Sequence, residues 1–103
     1  MLGGAALHDV DRDHRFAQLG YWVRASCRGR GIASAAARLV ARWGLDEAGL
    51  RRAEIVVALG NAPSRRAAER SGARYEGCAR NRLLIRGESH DAAVYAFVPG
   101  DFA

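Results

Sequence analysis

Arg28-Gly29-Arg30-Gly31-Ile32-Ala33 is a glycine-rich basic turn between two segments of different period. Upstream, Leu19-Gly20-Tyr21-Trp22-Val23 reads as a strand. Downstream, Ile32 to Trp43 carries apolar residues at helical spacing. Ile32, Ala35, Ala36, Leu39, Val40 and Trp43 are predicted to share the core-facing side, with Arg38 and Arg42 opposite. A strand, such a turn and a helix N-terminus together make an anion cradle. Glycine lets the backbone approach a ligand closely. The first N–H groups of a helix have no partner within it and lie at the positive end of its dipole. Arg28 and Arg30 add full charges, so the turn predicts a site for a phosphate or diphosphate.

On the N-terminal side of the turn, Met1 to Val10 reads as a strand. Asp11-Arg12-Asp13-His14 reads as a polar turn, and Phe16 to Val23 as a second strand that returns against the first as an antiparallel hairpin. On the other side, Gly49 is placed to stop the helix. Arg52 to Leu59 holds the continuous apolar run Ile55-Val56-Val57-Ala58-Leu59, which suits a strand covered on both faces. Pro63 and Gly72 bracket a short helix, Pro63 to Ser71. Ala73 to Arg86 and Asp91 to Val98 read as two strands joined by a turn at Gly87-Glu88-Ser89. The order β-β-α-β-α-β-β predicts an α/β (α+β) class with a mixed sheet and two helices. A strand–helix–strand crossover predicts parallel pairing of the second and third strands.

The chain has 103 residues, enough for a single domain over 1–103 with one core. No apolar run approaches the roughly 20 residues that span a bilayer, and Met1 to Leu7 lacks the basic start of a signal peptide. A cytoplasmic location without membrane contact is the expectation. Cys27 and Cys78 lack partners at metal-ligand spacing and do not form a disulfide framework; both read as small buried or half-buried thiols. The net charge is +5, and all 16 basic residues are arginine. Without lysine there is no Walker lysine, Schiff base or lysine general base. A dinucleotide fingerprint is also excluded, because Ser34 stands where the third glycine belongs and no acidic residue ends the next strand. The arginines are spread along the chain without interleaved aromatics, so nucleic acid is not the expected primary partner.

Further segments give the turn its context: Gly20-Tyr21-Trp22-Val23, Asn61-Ala62-Pro63-Ser64-Arg65-Arg66, Gly72-Ala73-Arg74-Tyr75-Glu76-Gly77, and the closing Gly87 and Asp91. In this order and spacing the chain resembles the GNAT N-acetyltransferase superfamily, and within it the ribosomal-protein alanine acetyltransferase-like branch. The match runs from about Leu2 to Phe97. The resemblance implies a centrally splayed sheet and acetyl-CoA binding. It implies that the backbone of Arg28, Gly29, Arg30, Gly31, Ile32, Ala33 and Ser34 holds the pyrophosphate. The pantetheine arm would enter the splay and pair with the backbone of Tyr21, Trp22 and Val23, much as an added strand does. Asn61 would contact the pantetheine, and Ser64 would lie near the thioester sulfur as the candidate acid. Both are also ordinary residues at a helix start, where capping accounts for them. Arg65 and Arg66 either steer the CoA phosphates or lie on a solvated face.

The implied reaction is direct attack of a primary amine, from a protein N-terminus or a small molecule, on the thioester. A backbone N–H near Val23 would polarise the carbonyl. The chain departs from the family pattern at Ala35, Ala68, Ala73 and Leu83, which stand where relatives carry glutamate, tyrosine, an aromatic and glutamate. Glu76, His90 and Asp91 remain as candidate bases, with a sheet surface or a turn as the plainer placement; His8 and His14 are expected at the surface. The strand–helix segment that opens the superfamily is not recognised here. A shortened chain of this kind is expected to expose apolar surface and to pair as a homodimer. A non-catalytic CoA-binding or interaction module is the alternative that the departures leave open.

Overall fold

In the computed structural model, residues 3–23 and 31–102 are described. The elements are β1 (Gly3–Asp11), β2 (Phe16–Val23), α1 (Ile32–Asp46), β3 (Arg52–Ala58), α2 (Ala62–Ser71), β4 (Arg74–Ile85) and β5 (Glu88–Phe97). Local chemistry sets most of these bounds. The Asp11 carboxylate accepts from the N–H groups of Asp13 and His14 at 3.0 and 2.9 Å and closes the first hairpin. The second hairpin turns on Arg86 and Gly87, both at positive φ (51° and 80°), the two-residue turn whose twist matches paired strands. Asn61 caps α2 by accepting from the Ser64 N–H at 3.2 Å.

The strands order as β1-β2-β3-β5-β4. Neighbours are antiparallel except β2 and β3, which run parallel as the crossover through α1 requires. Both helices lie over one face of the sheet. That face supplies the bulk of the core: Leu19 from β2, Ile55 and Val57 from β3, Tyr95 and Phe97 from β5. Phe102 returns to stack on Phe97, with ring centroids 5.2 Å apart.

The structure corrects the expected core face of α1 in part: Ile32, Ala36 and Val40 are half-buried, Val40 against the core, but the face turns toward smaller residues. The buried residues of α1 are Ala33, Ser34, Ala37, Ala41, Gly44 and Leu45, whereas Leu39 and Trp43 are 71% and 57% exposed and Ala35 is exposed. The reason is distance. The sheet fills the interlayer space with large side chains, so the helix packs close and presents small ones. A Cβ on Gly44 would stand 2.9 Å from Leu7 Cδ1. Arg38 does not project away from the fold either. Its guanidinium donates to the Ser71 carbonyl at 3.1 Å and lies 4.7 Å from the centre of the Phe102 ring.

β3 is likewise not covered on both faces. Ala53, Ile55 and Val57 are buried, while Arg52, Glu54, Val56 and Ala58 on the second face are half-buried. Cys78 is exposed on β4 rather than buried, because the strand lies at the sheet edge. Cys27 lies outside the described residues.

Candidate functional site

The ladder between β2 and β3 has only three rungs: Phe16↔Arg52, Ala17↔Ala53 and Gln18↔Glu54. Beyond them both strands continue, β2 held by β1 and β3 by β5, without pairing to each other. A wedge therefore opens between residues 19–23 and 55–58. Unpaired backbone N–H and C=O groups along such an opening are strong hydrogen-bonding sites for an extended ligand. This is the central splay expected from the sequence.

At the wide end of the wedge stands the N-terminus of α1. Gly31 is its N-cap, in the left-handed region (φ 73°, ψ 11°), with no side-chain cap and no acidic residue in the first turn. Among the described residues, and apart from its chain neighbours and its own helix, nothing lies within 4 Å of a Cβ built on Gly31. The Ala35 N–H donates to the Gly31 carbonyl at 3.0 Å and closes this first turn. Ile32 is half-buried, and Ala33 and Ser34 are buried against the fold. Arg28, Gly29 and Arg30, the remainder of the predicted cradle, lie outside the described residues.

The strand and the second helix meet across the wedge. The Tyr21 hydroxyl, carried on β2, donates to the Ser64 carbonyl on α2 at 2.6 Å and lies 3.1 Å from Ser64 Oγ. Burial pushes the Tyr21 phenol up from its ordinary pKa; the Ser64 hydrogen bond opposes this, and nearby Tyr95 adds to it. Asn61, Ser64 and Tyr21 are thus brought together, with Asn61 in its capping role. Trp22 is exposed and lies over Gly4 of β1, where a Cβ would come 2.6 Å from Trp22 Cζ2. Val23 ends β2 opposite Gly3. Arg65 is held within the fold: its Nε donates to Tyr95 Oη at 3.2 Å and its Nη1 to the Leu59 carbonyl at 3.3 Å. Arg66 is exposed.

The candidate bases fall elsewhere. Glu76 pairs with Arg52 at 2.8 Å. Asp91 accepts from the Asn81 N–H at 2.9 Å beside a bulge of β4. His90 has Glu88 at 4.0 Å, and His8 and His14 are exposed. Two features escaped the sequence reading. One is the side-chain role of Tyr21. The other is Glu54, on the last rung before the wedge. It accepts from Gln18 Nε2 at 2.9 Å and pairs with Arg52 at 2.7 Å. Burial alone would raise the Glu54 pKa; the bonds from Gln18 and Arg52 and the Arg52 and Arg82 charges outweigh that and hold it low. The only signal for either was position, Tyr21 on the core face of β2 and Glu54 out of phase with the buried residues of β3.

Among the described residues no group of side chains could hold a metal ion, and no helix is long and apolar enough to cross a membrane. The described residues thus place a sheet splayed between parallel strands next to a helix N-terminus that has no side-chain cap. The family model described as "Acetyltransferase (GNAT) domain" matches residues 1–74, and the chain belongs to the GNAT acetyltransferase family. It is 37% identical over 98 residues to the Bacillus subtilis protein named "Putative ribosomal N-acetyltransferase YdaF", covering 95% of this chain and 54% of that one. A crystal structure described as a probable acetyltransferase superposes with a TM-score of 0.84 at 36% identity, over 96% of this chain and 55% of that one. The microcin C7 self-immunity acetyltransferase MccE, solved in complex with acetyl-CoA and AMP, gives 0.76 at 29% identity, over 86% of this chain and 49% of that one. The chain spans about half the length of these relatives.

Proposed function

We propose that residues 1–103 form an acetyl-CoA-binding domain that transfers acetyl to a primary amine. The observation that carries this reading is the wedge that opens beyond Gln18 and Glu54. The MccE complex with acetyl-CoA supports the choice of ligand. The free first turn of α1 fits a diphosphate, and Arg28 and Arg30 supply charge to it. Residues Tyr21, Trp22 and Val23 pair with β1 but not with β3, and the edge they turn to the wedge fits the amides of a pantetheine arm. Asn61 and Ser64 flank that arm from α2. Bound acetyl-CoA brings an acetyl group activated as a thioester. The chain's part is to align it, to polarise its carbonyl through an N–H near Val23, and to offer a hydroxyl at Ser64. The name of the Bacillus relative favours a ribosomal protein as the source of the amine. Calorimetry with CoA tests the reading: micromolar binding is expected, and no heat together with no thermal shift overturns it. Release of free thiol from acetyl-CoA over a panel of amines and peptide N-termini then identifies the acceptor.

A further inference from the structure

Tyr21 and Ser64 share two protons between three oxygens, and simple counting fixes their resting arrangement. A phenol has one proton, and a carbonyl oxygen only accepts. The 2.6 Å contact therefore spends the Tyr21 proton on the Ser64 carbonyl. In the 3.1 Å contact Ser64 must be the donor, giving its hydroxyl proton to Tyr21 Oη. At rest, then, Ser64 is not a lone acid aimed into the wedge, because its proton is held by Tyr21. Both hydrogens can swing by rotation about their own C–O bonds while the oxygens stay in place. After the swing the Tyr21 proton bonds to Ser64 Oγ, and the Ser64 proton is free for a third partner.

We propose that Tyr21 and Ser64 form a two-hydroxyl proton relay, with Tyr21 the positioning and proton-supplying member behind Ser64. The proposal rests on the acetyl-transfer reading given above. In that reaction a bond forms from the amine nitrogen to the carbonyl carbon. The carbon–sulfur bond breaks and its electron pair stays on sulfur. Ser64 Oγ gives its proton to the sulfur, and Tyr21 Oη gives its proton to Ser64 Oγ. Water takes the proton shed by the amine, and water returns one to Tyr21, so the count is unchanged. The half-buried setting of Tyr21 keeps the phenol protonated, and hence a donor, at neutral pH.

Tyr21→Phe keeps the ring and removes only the oxygen. It is expected to lower kcat about tenfold, the scale of one hydrogen bond made in the transition state, with KM for acetyl-CoA unchanged. Ser64→Ala is expected to lower kcat further, and the double variant to be no slower than Ser64→Ala alone, as for groups acting in series. A second readout needs no turnover: carbon-13 NMR of the tyrosine Cζ atoms in the free chain. Ser64→Ala should raise the Tyr21 pKa, because a hydrogen bond donated to the phenolate is lost. An unchanged or lowered pKa overturns the relay, as does Tyr21→Phe at wild-type kcat. A wild-type chain that releases no thiol overturns the acetyl-transfer reading and the relay with it. That outcome is distinct from active wild type matched by Tyr21→Phe, which sinks the relay alone.

Discussion

Gly31→Asp puts a negative charge at the mouth of the wedge, and its effects on folding and on binding should separate. Gly31 occupies the left-handed region, and beyond its chain neighbours no described atom lies within 4 Å of a Cβ built there. The backbone cost of a non-glycine residue there is about 1–2 kcal/mol, and aspartate is among the residues that tolerate it best. A carboxylate at the N-terminus of α1 returns about 0.3–1 kcal/mol through the helix dipole. The net loss is between about 0 and 1.7 kcal/mol, a fall in Tm of roughly 14 °C at most for a chain of this size. Binding is a different matter. A unit charge about 6 Å from a phosphate costs ~3 kcal/mol at an effective dielectric constant of about 20, before salt screening. With screening, about 2 kcal/mol remains, which is a loss of roughly 30-fold in CoA affinity. Gly31→Asn carries the same backbone strain without the charge and is the control. Calorimetry should show the Asp variant at least about tenfold weaker than the Asn variant at low salt, with the gap narrowing as salt rises. Equal affinities for the two variants would refute the placement of the diphosphate at this helix N-terminus.

Packing and pH give two more tests. Trp43→Gln should change stability by no more than about 0.5 kcal/mol, because the side chain is largely exposed. Ala37→Leu, on the face that meets the sheet, should cost about 1–3 kcal/mol in denaturant unfolding; the reverse order of the two would mean that the helix is rotated. The Glu54 carboxyl is held below its ordinary value, so its stabilising contribution is present above the unfolded pKa, about 4.3, and is lost as pH falls through the lower folded value. Urea midpoints between pH 7 and pH 3 should therefore fall less steeply in Glu54→Gln than in wild type, and parallel curves would remove Glu54 from the account.

Local chemistry was legible in the sequence wherever one residue type serves one backbone task. Asp11 in its turn, Asn61 and Gly72 at the ends of α2, and Gly87 in the last hairpin all stand where their conformations demand them. The order of elements and the parallel partnership of β2 and β3 followed from these bounds and from the handedness of crossovers. The site was legible as a motif, Arg28 to Ser34 with Asn61 and Ser64, but its side-chain contacts were not. Glu76 and Asp91 looked available as bases in the sequence. Pairing with Arg52, 24 positions away, and with the bulge at Asn81, across the last hairpin, occupies them.

The sequence by itself determined the order and type of the elements and most of their starts to within a residue or two, because capping, turn conformation and apolar spacing act between residues a few positions apart; the last turn falls at Arg86-Gly87, so β5 begins at Glu88 rather than Asp91. Only the tertiary structure decided which side of α1 is buried, where the β2–β3 ladder stops, and that Tyr21 meets Ser64. Apolar spacing marks Leu39 and Trp43 as readily as Ala37 and Ala41, and the choice falls to the small residues because the sheet already fills the gap between the layers. Tyr21 and Ser64 stand 43 positions apart, and no local pattern announces their contact. It exists because the crossover through α1 sets β2 beside β3 in parallel, so the start of α2, which follows β3, lies next to the end of β2.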